Sequence, residues 1–296
     1  MSKAIEQRQV YEMRGILDNP LLLAVCAMLG SGLIGYAAYR KAALTASGAW
    51  AAAVMGAAYV MLGGPVWFGL LIAFFLSSTF WSKWKRRHRS KAKAEAKYAK
   101  SGGRDAVQVW ANGGLGLLLC ALHALFPHPL LMFGFLGVMA AVNADTWATE
   151  IGALSRSKPR MLLGWRKVEP GTSGAVTLLG TTAAAAGALF IGIAALLLMP
   201  LDGTIAYDIH PAAIAGAAAA AGIAGAVADS LLGASVQAIY RCGTCGLETE
   251  SEMHCGTDTV RMRGAVWMNN DVVNFTASCL AGLIGAGIGM LAMPVQ

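Results

Sequence analysis

Four short stretches set carboxylates, amides and hydroxyls against long apolar runs: GGRDAVQVWANGG, NADTWATEIG, ADSLLGASVQ and NNDVVN. In the first, Asp105, Gln108 and Asn112 are spaced i, i+3, i+7 and share a helix face. In the third, Asp229, Ser230, Gly233 and Gln237 fall in one broad stripe, and in the fourth Asn270, Asp271 and Asn274 share a face. The second is less simple. On a straight helix Asn143, Thr146 and Glu150 lie together while Asp145 and Thr149 point nearly opposite, so either both faces meet polar helices or the helix breaks near Asp145. An acid at membrane depth costs roughly 2.5–3.5 kcal/mol, so it faces a bundle interior, a partner or a cavity. Each residue taken singly has a plain structural role, and Asn270 or Asp271 would serve simply as a helix cap. Four stripes converging on one side point instead to a polar site.

A fifth stretch, KPRMLLGWRKVEPGTSGAV, sets the turn Pro170-Gly171-Thr172-Ser173-Gly174 before a helix expected to start near Gly174. Free backbone N–H groups and the positive end of the helix dipole suit a phosphate, with Arg166 and Lys167 nearby, although an N-cap at Thr172 or Ser173 explains the same residues. Carboxylates that hold Mg²⁺ beside a phosphate cradle would make a phosphoryl-transfer site. Neither GxxxxGK[ST] nor GxSxG occurs.

Six cysteines divide into two groups. Cys26, Cys120 and Cys279 lie in apolar runs and read as small fillers. Cys242, Cys245 and Cys255, with His254, cluster in YRCGTCGLETESEMHCGTDT, where three thiolates and an imidazole would complete a tetrahedral Zn²⁺ site. Adjacent His254 and Cys255 are awkward as simultaneous ligands and a second CxxC is missing, so reduced thiols are the alternative.

These stretches must be positioned by membrane helices. The chain of 296 residues is 56% hydrophobic and 13% charged, about half the charge of a soluble domain. Continuous apolar runs predict an all-α polytopic bundle of about eight transmembrane helices, near 20–39, 47–63, 65–82, 106–126, 129–153, 174–199, 211–238 and 271–293. Gly- and Ala-rich runs suit close helix contacts in lipid. Lys and Arg follow the first, third, fifth and seventh spans and are missing after the second, fourth and sixth. The positive-inside rule therefore puts the odd-numbered exits in the cytoplasm and the N-terminus outside. Lys3, Arg8 and Arg14 of the N-terminal tail are offset by Glu6, Glu12 and Asp18, and no cleavable presequence is expected. The expected organisation is one membrane domain over 1–296, with a basic cytoplasmic loop at 83–105 and a Cys-containing cytoplasmic loop at 240–268. The basic loop reads as a topology signal touching anionic headgroups. No aromatic platform accompanies it, so nucleic acid is not expected as a partner. A homo-oligomer is compatible with the sequence.

GRDAVQVWANGG, NADTWATEIGALSRSKPR, GTSG, ADSLLGASVQ and NNDVVN, with LTASGAWAAAVMG and FFLSS, resemble the signatures of one membrane family over nearly the whole chain. It is the family of unknown function number ninety-two, which includes transmembrane protein nineteen and the plant phytyl-phosphate kinase. The resemblance implies a multi-pass enzyme of the cytoplasmic membrane. It would phosphorylate an isoprenoid monophosphate of phytyl or geranylgeranyl type with CTP or another nucleoside triphosphate and Mg²⁺. It implies Asp145, Glu150, Asp229 and Asp271 as catalytic or metal-holding acids, the metal falling to Asp145, Asp229 and Asp271. Asn112, Asn143, Asn270 and Asn274 would orient phosphates, with Gln237 in the same stripe. Thr172, Ser173 and Gly174 would cradle a phosphate, and Arg104 and Lys167 would neutralise charge. The Cys-rich loop departs from the family's plainer eukaryotic form, which makes zinc accessory. A transporter or lipid flippase is the rival reading, although a transport path needs polar groups through the full membrane depth.

Overall fold

The computed structural model describes residues 19–88, 102–202 and 209–292. The expectations for the N-terminal tail and for most of the basic run near 89–101 lie outside the described residues. Seven helices are long and apolar enough to cross a membrane. They are α1 (Pro20–Arg40), α2 (Ala46–His88), α3 (Ala106–Leu125), α4 (Pro129–Gly152), α5 (Leu178–Leu198), α6 (Pro211–Ser235) and α7 (Asn270–Ala292). Three of them open alike: Asn19, His128 and His210 accept a hydrogen bond from the second helical N–H, with proline in the first turn. Proline lacks the N–H that would be orphaned there and has its φ preset for helix.

The 43 residues of α2 would be about 65 Å long if straight, twice a hydrocarbon core of about 30 Å. They are not straight. Gly64 has φ 75° and ψ −164°, and Pro65 follows it. Gly48 and Phe74, on either side of this break, both lie against Arg104, so α2 folds back into two antiparallel spans. The eight expected spans thus correspond to seven helical elements. The break frees the Val66 N–H, and Asp202 accepts it at 2.9 Å. An unmet N–H in that setting costs several kcal/mol, which explains a carboxylate only 4% exposed beside the turn.

The central element is α4, in which every residue from Met132 to Ala144 is buried. It packs against α2, α3, α5, α6 and α7. The contacts use small residues: a Cβ at Gly222 would stand 2.6 Å from Ala188 Cβ and 3.0 Å from Ala140 Cβ. Phe133, Phe135, Tyr59 and Trp67 fill the centre, while Leu178 (79%), Leu283 (72%) and Leu291 (89%) are exposed toward the lipid. Small residues at the closest approaches are the mark of helices that associate by close packing in lipid.

The linkers at the basic end are not plain loops. Between α4 and α5, β1 (Arg160–Met161) pairs antiparallel with β2 (Ala175–Val176). Between α6 and α7, β3 (Ile239–Cys242), β4 (Glu248–Thr249), β5 (Met253–His254) and β6 (Thr257–Arg263) form a sheet of order β4-β3-β6-β5. Arg263 ties this sheet to the bundle, donating to the Ala234 carbonyl at 2.7 Å and to that of Ser173 at 3.4 Å.

Alanine at Gly64 would force a side chain into backbone geometry that is essentially glycine-only, at a cost of about 1–3 kcal/mol. Gly64→Ala is therefore expected to lower the thermal midpoint in detergent, followed by the loss of helical circular dichroism. An unchanged midpoint would mean the turn relaxes at no cost.

Candidate functional site

The loops after α2, α4 and α6 gather at one end around a cavity of about 770 Å³, within the range of small-ligand sites. Among the described residues, six carboxylates line it, Asp145, Glu150, Asp229, Glu250, Glu252 and Asp271, and two cations, Lys85 and Arg104, stand among them.

Helix α4 runs unbroken through Gly152, and Asp145, Thr146, Thr149 and Glu150 all border the cavity, so both of its faces meet polar neighbours. On one face Glu150 accepts from Ser82 at 2.6 Å and pairs with Lys85 at 2.6 Å, both from α2. On the other, the Asp145 carboxyl lies within hydrogen-bonding reach of Asp229 from α6. Oδ2 of Asp229 is closed off from solvent and has no hydrogen-bond partner among the described residues. Buried polar atoms are almost always satisfied, and two carboxyls facing each other call for a proton or a cation between them. This arrangement fits a hard, oxygen-seeking divalent ion such as Mg²⁺.

On α7 the capping question has a clear answer. Asn269 accepts from the Val272 N–H at 3.1 Å and caps the helix, which leaves Asn270, Asp271 and Asn274 bordering the cavity. On α3, Asp105 and Gln108 form a reciprocal capping box, so Asp105 belongs to the helix start. Asn112, one turn further on, borders the cavity. Arg104 is fixed by its own backbone: its N–H donates to the Ala43 carbonyl and its carbonyl accepts from Thr45, both at 3.0 Å.

Four expectations need correction. Asn143 is fully buried away from the cavity, donating to the Gly187 carbonyl at 2.7 Å and accepting from Ser77 at 2.9 Å, so it joins α2, α4 and α5. Lys167 is exposed on the β1–β2 loop and does not border the cavity. Gln237 sits behind the wall: it accepts from Ser173 at 2.6 Å and donates to Glu250 at 2.9 Å. Thr172, Ser173 and Gly174 do border the cavity, yet α5 starts only at Leu178 with Thr177 as its cap, so the turn is no helix N-terminus. The hydroxyl hydrogens of Thr172 and Ser173 are already donated, to the Glu169 carbonyl and to Gln237. Gly174, at φ 77°, lets the turn pack directly on Ala234 at the end of α6.

Sequence reasoning missed Lys85, Glu250 and Glu252. Glu252 accepts from the Tyr240 hydroxyl at 3.1 Å. Burial first, and the nearby Asp271 charge, push the Glu250 carboxyl up to about 7 against the bond from Gln237. The four residues of the Cys-rich loop, Cys242, Cys245, His254 and Cys255, do converge, away from the cavity.

A second, apolar cleft adjoins the first. It runs between α1, both arms of α2 and α3, lined by Ile34, Met55, Phe68, Leu71, Phe75 and Val109. It is narrow, about 60 Å³, and it shares Arg104, Gln108 and Asn112 with the acidic cavity.

Fold and site together define a polytopic helical membrane protein with an acidic cavity and an apolar cleft meeting at an arginine. The chain belongs to the DUF92 family of integral membrane proteins, whose family model matches residues 29–282. It is 27% identical to Protein PGR of Arabidopsis thaliana, covering 90% of this chain and 96% of that protein. It is 30% identical to an uncharacterized membrane protein of Methanocaldococcus jannaschii, covering 83% of this chain and 86% of that one. An uncharacterized membrane protein of Synechocystis is 28% identical over 61% of this chain. No solved structure matches the chain.

Glu250 makes stability depend on pH. Its folded pKa of about 7 lies above the ordinary value of 4.5, so the folded state keeps a proton that the unfolded state releases. Stability therefore falls as pH rises through that interval. The thermal midpoint of the wild type is expected to drop between about pH 5 and pH 8, and that of Glu250→Gln to drop less. Parallel pH curves for the two proteins would remove Glu250 as the cause.

Proposed function

We propose that this protein is a membrane phosphotransferase that moves the terminal phosphoryl group of a nucleoside triphosphate, CTP by family resemblance, onto a lipid monophosphate of isoprenoid type. The observation that carries the reading is the meeting of the apolar cleft and the acidic cavity at Arg104, Gln108 and Asn112. A hydrocarbon chain held mostly in the bilayer would lie along the mouth of this narrow cleft and leave its phosphate at Arg104. The positive-inside rule puts that end in the cytosol, where nucleotides are found.

Asp145 and Asp229 would hold Mg²⁺, with Asp271 across the cavity. When bound, that ion would neutralise phosphate charge and let a polyphosphate enter a pocket that, among the described residues, has six carboxylates and two cations. An ionised oxygen of the acceptor phosphate attacks the γ-phosphorus. The bond to the β–γ bridging oxygen breaks, and the nucleoside diphosphate leaves with that electron pair. With a second pKa near 6, a phosphate monoester is largely dianionic at neutral pH, so no residue has to remove a proton. That fits a cavity bordered, among the described residues, by acids and amides but by no histidine. Arg104 orients the acceptor phosphate, and Asn270 and Asn274, on one face of α7, offer amide donors to the donor phosphates.

Purified protein with γ-labelled CTP, Mg²⁺ and geranylgeranyl or phytyl monophosphate is expected to yield labelled lipid diphosphate. Asp145→Asn and Asp229→Asn should each lower kcat about a hundredfold or more, because several kcal/mol of charge stabilisation is lost. Arg104→Gln should chiefly raise the KM for the lipid. No transfer across nucleotides and chain lengths, together with lipid flux in proteoliposomes without nucleotide, would replace this reading with transport.

A further inference from the structure

The Cys-rich linker holds a second constellation, remote from the chemistry of the cavity. We propose that Cys242, Cys245, His254 and Cys255 bind one zinc ion, and that this ion pins the β-sheet segment that presents Glu250 and Glu252 to the cavity.

One potential ligand atom from each of the four residues lies within 4.8 Å of all the others. Nδ1 of His254 stands 3.4 Å from Sγ of Cys245 and 3.3 Å from Sγ of Cys255. Tetrahedral zinc with Zn–S of about 2.3 Å and Zn–N of about 2.0–2.1 Å spaces sulfur and nitrogen by roughly 3.5 Å. A single thiol–imidazole pair would show the same separation, so no one distance decides the matter. Three sulfurs and a ring nitrogen drawn to one point do, because a hydrogen-bonding network gains nothing by gathering three thiols there.

The backbone is shaped for this convergence. Cys242 and Cys245 straddle a tight turn between β3 and β4, closed by Cys242 accepting from the Gly246 N–H at 2.9 Å and donating to Leu247 at 3.0 Å. Gly246 supplies its positive φ of 73°. At the same end of the sheet, Cys255 and Gly256 form the two-residue loop of the β5–β6 hairpin, with φ of 53° and 74°. Positive φ at both positions is a type I′ turn, which favours asparagine or glycine first. A cysteine stands there instead. The turn swings its thiol onto the His254 ring, so the two adjacent residues reach one point, as an extended chain would not allow. The Thr244 and Thr257 hydroxyls, 3.1 Å apart, tie the two turns together beside the cluster.

Between these turns runs the segment 248–254. It leaves β4, passes Glu250 and Glu252 on the cavity wall, and enters β5 at Met253. Its middle is held by Gln237 and Tyr240. Both its ends run into the cluster, since Cys242 and Cys245 lie just before it and His254 ends it. Two-residue strands pair too briefly to fix such a segment alone. A bound ion replaces three thiol protons and joins both turns covalently enough to do so.

The test is the metal content of full-length protein purified in detergent without chelator, read by elemental mass spectrometry. About one zinc per chain is expected, falling below about a tenth in Cys245→Ser and Cys255→Ser, while helical circular dichroism is retained. Cobalt added to reduced, metal-stripped wild type should give the visible bands and sulfur charge-transfer absorption of a tetrahedral thiolate site. Folded wild type with no zinc and no cobalt signature would overturn the site, whether its thiols prove free or disulfide-bonded. Limited proteolysis of the stripped wild type should accelerate within 240–268 and be suppressed by restored zinc. Equal protection with and without zinc would overturn the pinning role. None of these readings depends on phosphoryl transfer.

Discussion

Everything at the basic end depends on how closely α6 and α7 can approach α4. A Cβ at Gly285 would collide with the Phe133 carbonyl, and one at Gly225 with the Ala141 side chain. With no side chain there, backbone meets backbone, and α6 comes near enough to set Asp229 against Asp145. In water such contacts would be a modest gain. Between helices in lipid they are the main attraction available, since the solvent is as apolar as the protein. The energy that holds the bundle therefore also forces two carboxyls together at the cavity wall.

The outer shell of the site is built differently. Glu150 is matched to Lys85 across two helices, whereas Glu250 and Glu252 hang from a small sheet and are steered by Gln237 and Tyr240. Acids from α4, α6 and α7 thus stand on rigid spans, and the remaining two stand on a linker held by Gln237 and Tyr240. Arg263 connects these regimes by donating to carbonyls at the end of α6 and in the Ser173 turn. A cation at a helix C-terminus answers both the unmet carbonyls and the dipole there.

Spans and polar stripes were legible because hydropathy and helical period are local signals. The hairpin within α2 was legible for the same reason, since Gly-Gly-Pro interrupts an apolar run. Face geometry grouped Asn270, Asp271 and Asn274 and placed Asp229 in a polar stripe, whereas Asp145 fell on the opposite side of its helix from Glu150 and was singled out by the family resemblance. What failed depended on distant contacts. Asn143 shares a helical face with Glu150, yet Ser77 and Gly187, 66 and 44 residues away, claim its amide. Glu250 lies in a run, ETESEMH, that looks like solvated charge, and nothing local announces that Gln237 will draw it inward. The Thr172–Gly174 turn was misjudged because β2 intervenes before α5, and two-residue strands leave no alternation to read.

The parallel bridge between Leu44 and Arg104 joins the link between α1 and α2 to the entrance of α3. Arg104 is anchored through main-chain atoms, with its guanidinium lying over Phe74 of the cleft wall, 5.8 Å from the ring centroid. The cleft floor and the cationic gatepost are thus one mechanical unit. A shift of the α1–α2 link against α3 would therefore be felt at the edge of the acidic cavity as a displacement of charge.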